Sequence, residues 1–338
     1  MKTVFVGLSG GVDSGVSAYL LKKAGYNVVG VFLKVWEPDF LPCTAQQDRL
    51  DAMRVAAHLE IPFYTYDLEA EYKKNVVDYF VHAYKEGLTP NPDVMCNREI
   101  KFGAFWDRAK KEGADYIATG HYARNSIKNE KHSLARGIDE SKDQAYFLWT
   151  LTQDDLMHTL FPVGGMSKDE VRALAEKIKL PNAKKRDSQG LCFLGHVDMK
   201  EFLMHYIPVN KGAVHNEKGE VVGEHDGVFF YTLDQRISVA GGEKMYVIAK
   251  DIPNNTLTVS SHPEQYGKTE TVEVFNSNWI RHNASGEQID IEVRYHGERL
   301  RGVVVGSTVT FSEPTRVASG QSLVFYSGEE CLGGAIVV

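Results

Sequence analysis

No apolar run in this 338-residue chain approaches the roughly 18–20 residues needed to cross a membrane, so a membrane-spanning helix is not expected. Cysteine is scarce. Cys43, Cys96, Cys192 and Cys331 stand far apart without a C-x-x-C pair, which argues against a zinc site or a disulfide framework. Positive charge is not in excess either: 38 Lys and Arg stand against 45 Asp and Glu, a formal net charge of −7. Residues 1–195 carry 26 basic and 26 acidic side chains, residues 196–265 carry 6 and 10, and residues 266–338 carry 6 and 9. No part is a basic domain, so any RNA contact rests on local patches. Lys184-Lys185-Arg186 and Arg294 with Arg299 and Arg301 are the candidates, and such clusters equally suit a solvated face. A secretory leader is also missing, because Met1-Lys2-Thr3 runs straight into an apolar strand. The expected compartment is the reducing cytoplasm, where thiols stay free. The hydrophobic fraction of 43% predicts two or three domains with ample core.

One further absence is informative. Ser9-Gly10-Gly11-Val12-Asp13-Ser14 follows the apolar run Val4–Leu8 and precedes Val16-Ser17-Ala18-Tyr19-Leu20-Leu21, which has helical spacing. Adjacent glycines let backbone N–H groups approach a ligand, and a helix start adds aligned donors and partial positive charge, so the loop suits a phosphate. Ser9 and Ser14 add hydroxyls, and Asp13 suits a metal ion or a substrate group. Yet no lysine occupies the Walker position. Such a loop is better suited to holding pyrophosphate than to clamping a transferred γ-phosphate.

Residues 1–195 alternate apolar strands with helical segments. Asn27–Leu33, Phe63–Tyr66 and Asp115–His121 read as further strands. Asp48–Leu59 reads as a helix with Leu50, Met53 and Ala57 on its apolar side, and Ser167 with Glu170 forms a capping box before another. That rhythm predicts an α/β domain with a parallel sheet and ligands at the C-terminal ends of its strands. After about residue 208 short strands dominate: Gly227–Thr232, Lys244–Ile248, Thr256–Val259, Thr271–Phe275, Ile289–Arg294, Ser307–Phe311, Ser322–Tyr326 and Gly334–Val338. Asn254-Asn255 is a hairpin turn. A small β-rich domain (196–265) and a C-terminal β-barrel (266–338) are expected to follow the catalytic domain (1–195).

Cys96 follows Pro90-Asn91-Pro92-Asp93, where two prolines predict a stiff loop leading to the thiol. Asp93 suits a turn-former or a general base. Cys192 follows Lys184-Lys185-Arg186-Asp187-Ser188-Gln189-Gly190, a basic approach that lowers a thiol pKa. An isolated cysteine is ordinarily a buried structural residue. Two thiols in polar loops of a nucleotide-binding domain also suit a relay by thiol–disulfide exchange. Cys43 and Cys331 lack such surroundings and read as structural.

Five motifs occur in order: Leu8–Ser14, Asn91–Phe102, Ala118–Arg124, Lys142–Leu148 and Asp187–Phe193. Together they resemble the tRNA-specific 2-thiouridylases, within the wider family of ATP pyrophosphatases. Gly320-Gln321-Ser322 and Cys331-Leu332-Gly333-Gly334 resemble that family's last strands, so the likeness covers nearly the whole chain. The resemblance implies an adenine nucleotide alpha hydrolase-like (PP-loop) domain ahead of the two β parts. It implies that Gly7, Leu8, Ser9, Gly10, Gly11, Val12, Asp13 and Ser14 hold ATP, with Leu33 and Gly120 against the nucleotide and Mg2+ arriving with ATP. Asn91, Pro92 and Asp93 match the segment facing the target base. Cys96 matches the nucleophile, and Cys192 the cysteine that carries a persulfide. His121, Lys142, Asp143, Gln144, Arg294, Tyr295 and Gln321 match tRNA contacts. No resident metal site is implied; the implied partners are tRNA and a persulfide sulfur donor or relay protein. Two departures concern Val35, where many relatives have asparagine, and Thr232–Ser238, which replaces a glycine-rich stretch.

The expected activity is therefore 2-thiolation of the wobble uridine, position 34, by adenylation of the C2 oxygen and sulfur transfer. Two other classes share parts of the pattern: an ATP-dependent ligase or amidotransferase with the same loop, and a tRNA-binding homologue without activity.

Overall fold

The computed structural model describes residues 1–40, 45–186, 198–239, 242 and 244–338. Val4, Phe5 and Val6 are buried on both sides of a central strand, as a parallel sheet requires. Strands β1 (Thr3–Gly7), β2 (Asn27–Lys34), β3 (Phe63–Asp67) and β4 (Tyr116–Ala118) match the expected four. The hairpin β5 (Ala123–Lys128) and β6 (Lys131–Arg136) comes next, and β7 (Thr159–Leu160) completes the sheet. Its order is β3-β2-β1-β4-β7, and every pairing is parallel. Two residues are too few to show periodicity, which is why β7 was not foreseen.

Helix α1 (Val12–Lys23) leaves the end of β1 and buries Val12, Val16, Ala18 and Leu21 against the sheet. Helix α2 (Ala45–His58) occupies the expected segment but turns a different face inward. Leu50 and Met53 are exposed, and so is Ala57, whereas Ala52, Val55 and Ala56 are buried. Small side chains win that face because α2 packs closely on the loop: a Cβ on Gly10 would lie 2.4 Å from the Asp48 carbonyl oxygen. The helix Lys168–Lys177 starts at the foreseen box, with the Ser167 side chain accepting from Glu170 N–H and the Glu170 carboxylate accepting in return.

The central part pairs β8 (Gly212–Asn216), β9 (Val221–His225), β10 (Arg236–Ser238), β11 (Lys244–Asp251) and β12 (Thr256–Ser260) in the order β10-β11-β12-β8-β9. Residues 227–232 are not the expected strand. Val228–Phe230 forms a 3-10 turn after Gly227, whose φ of 147° only glycine adopts easily. Strands β13 (Thr269–Trp279), β14 (Gln288–Glu292), β15 (Arg299–Val305), β16 (Thr308–Thr315), β17 (Ser322–Ser327) and β18 (Glu330–Val337) form an antiparallel barrel that closes where β13 meets β18. Val274, Ile291, Phe311, Leu323 and Phe325 are among its core residues.

The hairpin β5–β6 does not join the parallel sheet. Its β6 pairs with β18, Cys331 opposite Leu134, and so extends the barrel sheet from within the first 195 residues. Side chains reinforce that seam: Arg281 and Lys128 both pair with Glu330. Cys331 is buried there, its thiol pushed up to about 12 by burial, in keeping with a structural role. No helix among the described residues is long and apolar enough to cross a membrane.

Candidate active site

Gly7 to Ser14 bridge the C-terminal end of β1 and the first turn of α1. Gly10 has a φ of 76° and Gly11 is the N-cap, with no side chain satisfying the first-turn N–H groups. Those donors therefore point outward, in the arrangement that binds anions. The loop is held by its own polar groups. Ser14 Oγ donates to Gly11 O at 3.1 Å, Ser9 Oγ accepts from Gly11 N–H at 3.3 Å, and Asn182 Nδ2 donates to Gly10 O at 2.9 Å.

The sequence denies the loop a Walker lysine, but the fold supplies a lysine from elsewhere. Lys168 is 7% exposed, and its Nζ lies 2.7 and 2.8 Å from the two carboxylate oxygens of Asp13. Tyr122 donates its hydroxyl to Asp13 Oδ1 at 2.8 Å. The only local signal for Lys168 was the capping box that fixes its helix start. Its distance of 155 residues from Asp13 hid the contact.

Gly120 stands directly behind this turn. A Cβ there would lie 2.8 Å from Ser14 N and 3.0 Å from Asp13 C, so the position must be glycine for the two chains to pass. Leu33 is half-buried near the end of β2. His121 is buried, its Nδ1 2.7 Å from Thr119 Oγ1 and its Nε2 3.5 Å from Lys101 Nζ. Burial first, and the Lys101 charge second, hold its pKa well below 6.5, so the ring is neutral.

The segment before Cys96 is helical rather than a stiff loop. Asn91 is extended and caps Pro92–Met95, its side chain accepting from Val94 N–H, with Pro92 in the first turn, where its missing N–H costs nothing. Asp93 is thus a first-turn acid, favoured by the helix dipole. The helix widens to π turns over Cys96–Ala104 before Phe105–Lys111. Such widening recurs at functional sites. Cys96 is 2% exposed at that junction, packed with Val94, Ile100 and Phe102. Cys192, its motif Asp187–Phe193 and Cys43 lie outside the described residues.

The start of the thiol helix is gripped from both β parts. Thr89 N–H donates to Ser319 O at 2.8 Å, and Thr89 Oγ1 lies 2.9 Å from Thr232 Oγ1. Tyr146 donates to Ser322 O at 3.0 Å, beside the half-buried Gln321. Asp143 is buried and accepts from Gly137 and Ala145 N–H, with Arg136 beside it; burial raises its pKa. Gln144 accepts from Tyr122 N–H at 3.0 Å. Lys142 is half-buried at the turn before them. Tyr295 donates its hydroxyl to Asp143 O at 2.9 Å. Arg294 and Arg316 both pair with Asp234, which belongs to the departing Thr232–Ser238 segment and has a φ of 65°. Of the basic clusters, Lys185 is taken by Asp48 and Asp51, and Arg301 by Asp290. The sites therefore fall into two groups. Gly7–Ser14, Gly120 and His121 surround the loop, while Asn91–Asp93, Lys142–Gln144, Tyr295 and Gln321 line the seam between catalytic part and barrel.

A parallel sheet with a glycine loop feeding a buried helix start, followed by two β parts, defines a nucleotide-binding α/β protein of the HUP class. Residues 2–196 match the family model described as tRNA methyl transferase HUP domain. Residues 200–261 match its PRC-barrel domain, and residues 269–337 an aminomethyltransferase beta-barrel domain. The chain belongs to the tRNA-specific 2-thiouridylase family. It is 45% identical to tRNA-specific 2-thiouridylase MnmA of Enterococcus faecalis over 99% of this chain and 94% of that one. It is 44% identical to MnmA 2 of Geobacillus kaustophilus, with the same shares covered. The Idiomarina loihiensis MnmA is 44% identical over 99% and 96%.

Proposed function

We propose that the protein converts a tRNA uridine, the wobble uridine at position 34, to 2-thiouridine at the expense of ATP. The observation that carries the proposal is the likeness to 2-thiouridylases over 99% of the chain. The loop's outward N–H groups and the absence of a Walker lysine support pyrophosphate release rather than γ-phosphoryl transfer. ATP and tRNA as substrates place the work in the cytoplasm.

In this reading the C2 oxygen of the uracil attacks the α-phosphorus of ATP. Pyrophosphate leaves toward Gly7–Ser14, and AMP becomes the group to be displaced. The terminal sulfur of a Cys192 persulfide bonds to C2 and the C2–O bond breaks, releasing AMP. Cys96 thiolate attacks the inner sulfur, breaking the S–S bond and leaving a Cys96–Cys192 disulfide. A dithiol reductant then restores both thiols, and a persulfide donor reloads Cys192. Release of hydrosulfide ahead of the attack on C2 is the alternative order. Asp93 serves as the acid or base beside the base. Cys96 is buried in the structure, so RNA binding must uncover it. The target base must leave its stack to be reached, at reduced cost in a loop.

Magnesium fits as an ion carried by the nucleotide: among the described residues no cluster of three His, Cys, Asp or Glu could hold one, and Asp13 is the carboxylate at the loop. It would neutralise phosphate charge. Residues 1–195 would carry the chemistry, 196–265 would brace the thiol helix, and 266–338 would contact tRNA, with hairpin β5–β6 tying the first to the last.

The test supplies unmodified tRNA, ATP, magnesium and a persulfide donor, and reads nucleosides by mass spectrometry. An anticodon uridine with oxygen exchanged for sulfur is expected. AMP formed with ammonia and without tRNA would replace the proposal with a ligase. Nucleotide-free tRNA binding without AMP would replace it with a binding homologue.

A further inference from the structure

Three rings stand in a row beside the thiol helix. Asn97, next to Cys96, donates from Nδ2 to the carbonyl of Phe147 at 3.1 Å. The Phe147 ring lies 4.3 Å from the Tyr295 ring, and Tyr295 lies 4.0 Å from the His296 ring. The planes are tilted by 47° and 37°, so the rings overlap without forming a closed sandwich.

The row is held in place by hydrogen bonds to the protein. Tyr295 donates its hydroxyl to Asp143 O, which aims the polar end inward and leaves the ring 39% exposed. His296 has a φ of 56°, a left-handed conformation uncommon outside glycine and costly to maintain. The buried Glu292 carboxylate fixes it by accepting His296 N–H at 2.9 Å, and Gly297 N–H closes the turn on Arg294 O at 2.8 Å. A turn is thus locked in a strained shape with two adjacent rings at the surface. Core packing gives no reason to hold them there.

The surroundings identify the ligand chemistry. The Asp93 charge acts on the Tyr295 hydroxyl, so the row faces the start of the thiol helix. The exposed Arg294 adjoins it in sequence. Exposed aromatic faces beside a guanidinium are the means by which proteins capture unpaired bases, independently of base identity.

We propose that Phe147, Tyr295 and His296 form a stacking platform for an unpaired RNA base next to the one that reacts. The inference rests on the proposed tRNA thiolation and adds what holds the loop open while the target base is presented. Neighbouring bases lose their mutual stacking when one is extruded, and the platform replaces that contact.

The experiment uses the full-length protein and an anticodon stem-loop carrying 2-aminopurine beside the target uridine. Stacking on a ring quenches 2-aminopurine fluorescence. His296→Asn removes the ring while keeping a residue that tolerates the left-handed turn. Tyr295→Leu removes the second ring, and Tyr295→Phe keeps it without the hydroxyl. We expect quenching with the wild type and with Tyr295→Phe. His296→Asn and Tyr295→Leu should lose it and raise the Kd for the stem-loop about tenfold each. Circular dichroism melting reports on folding; were Tyr295→Leu unfolded, His296→Asn alone decides. Quenching and Kd unchanged in His296→Asn, with thiolation by the wild type intact, would overturn the platform alone. A wild type that fails to thiolate full tRNA would overturn the underlying function instead.

Discussion

Replacing Lys168 with methionine removes a charge from the nucleotide loop while keeping most of the side-chain volume. Breaking a buried ion pair by deleting one partner costs about 3–5 kcal/mol, because the other charge is left uncompensated. Here the Lys168 side chain is 9% exposed but Asp13 is 29% exposed, and the Tyr122 hydroxyl remains on Asp13. The expected loss is therefore smaller, about 2 kcal/mol. Asp13→Asn in the same chain removes the stranded charge, so the double variant should recover part of that loss. Activity should behave differently. If Lys168 also faces the departing phosphates, tRNA-dependent AMP formation falls on the order of 10²-fold, the usual size for a lost electrostatic donor. The double variant should not recover it. Urea unfolding followed by tryptophan fluorescence reads the first quantity and release of pyrophosphate the second. A Lys168→Met protein as stable as wild type, with unchanged AMP formation, would refute both parts.

Gly120→Ala places a methyl 2.8 Å from Ser14 N, against backbone that cannot step aside. It should cost about 1–3 kcal/mol and raise KM for ATP, measured by melting and by ATP titration. His121 is buried neutral with a pKa well below 6.5, whereas the unfolded chain protonates there near 6.5. The unfolded state thus binds more protons in the window below 6.5. This contribution is fully present above pH 6.5 and is lost on acidification, at up to about 1.4 kcal/mol per pH unit. His121→Gln should flatten the pH dependence of unfolding by up to one proton, and an unchanged slope would contradict the assignment. Cys96→Ser and Cys192→Ser should each abolish 2-thiouridine formation with the fold intact, read by nucleoside mass spectrometry and circular dichroism.

The local chemistry was legible in the sequence and the long-range joints were not. The strand, glycine loop and α1 fall within one short stretch, so apolar runs and glycines sufficed to place them. The Ser167–Glu170 box was equally local. Reading Pro90 and Pro92 as loop-formers failed because proline also suits the first turn of a helix, and Asn91 supplies the cap. Leu50 and Met53 misled because close packing on Gly10 favours the small residues of α2. Nothing in residues 123–136 announces that their hairpin pairs with β18, nearly two hundred positions onward. Lys168 on Asp13 and Asp234 on Arg294 are likewise products of assembly. The candidate residues were named from motifs; their division between loop and seam comes from the fold.

The central claim is that the loop spends ATP on the uracil oxygen itself. The direct measurement uses tRNA whose target uridine carries 18O at C2, with ATP, magnesium and a persulfide donor. The account predicts one 18O in the phosphate of each AMP released during thiolation. Unlabelled AMP formed in step with 2-thiouridine would contradict it.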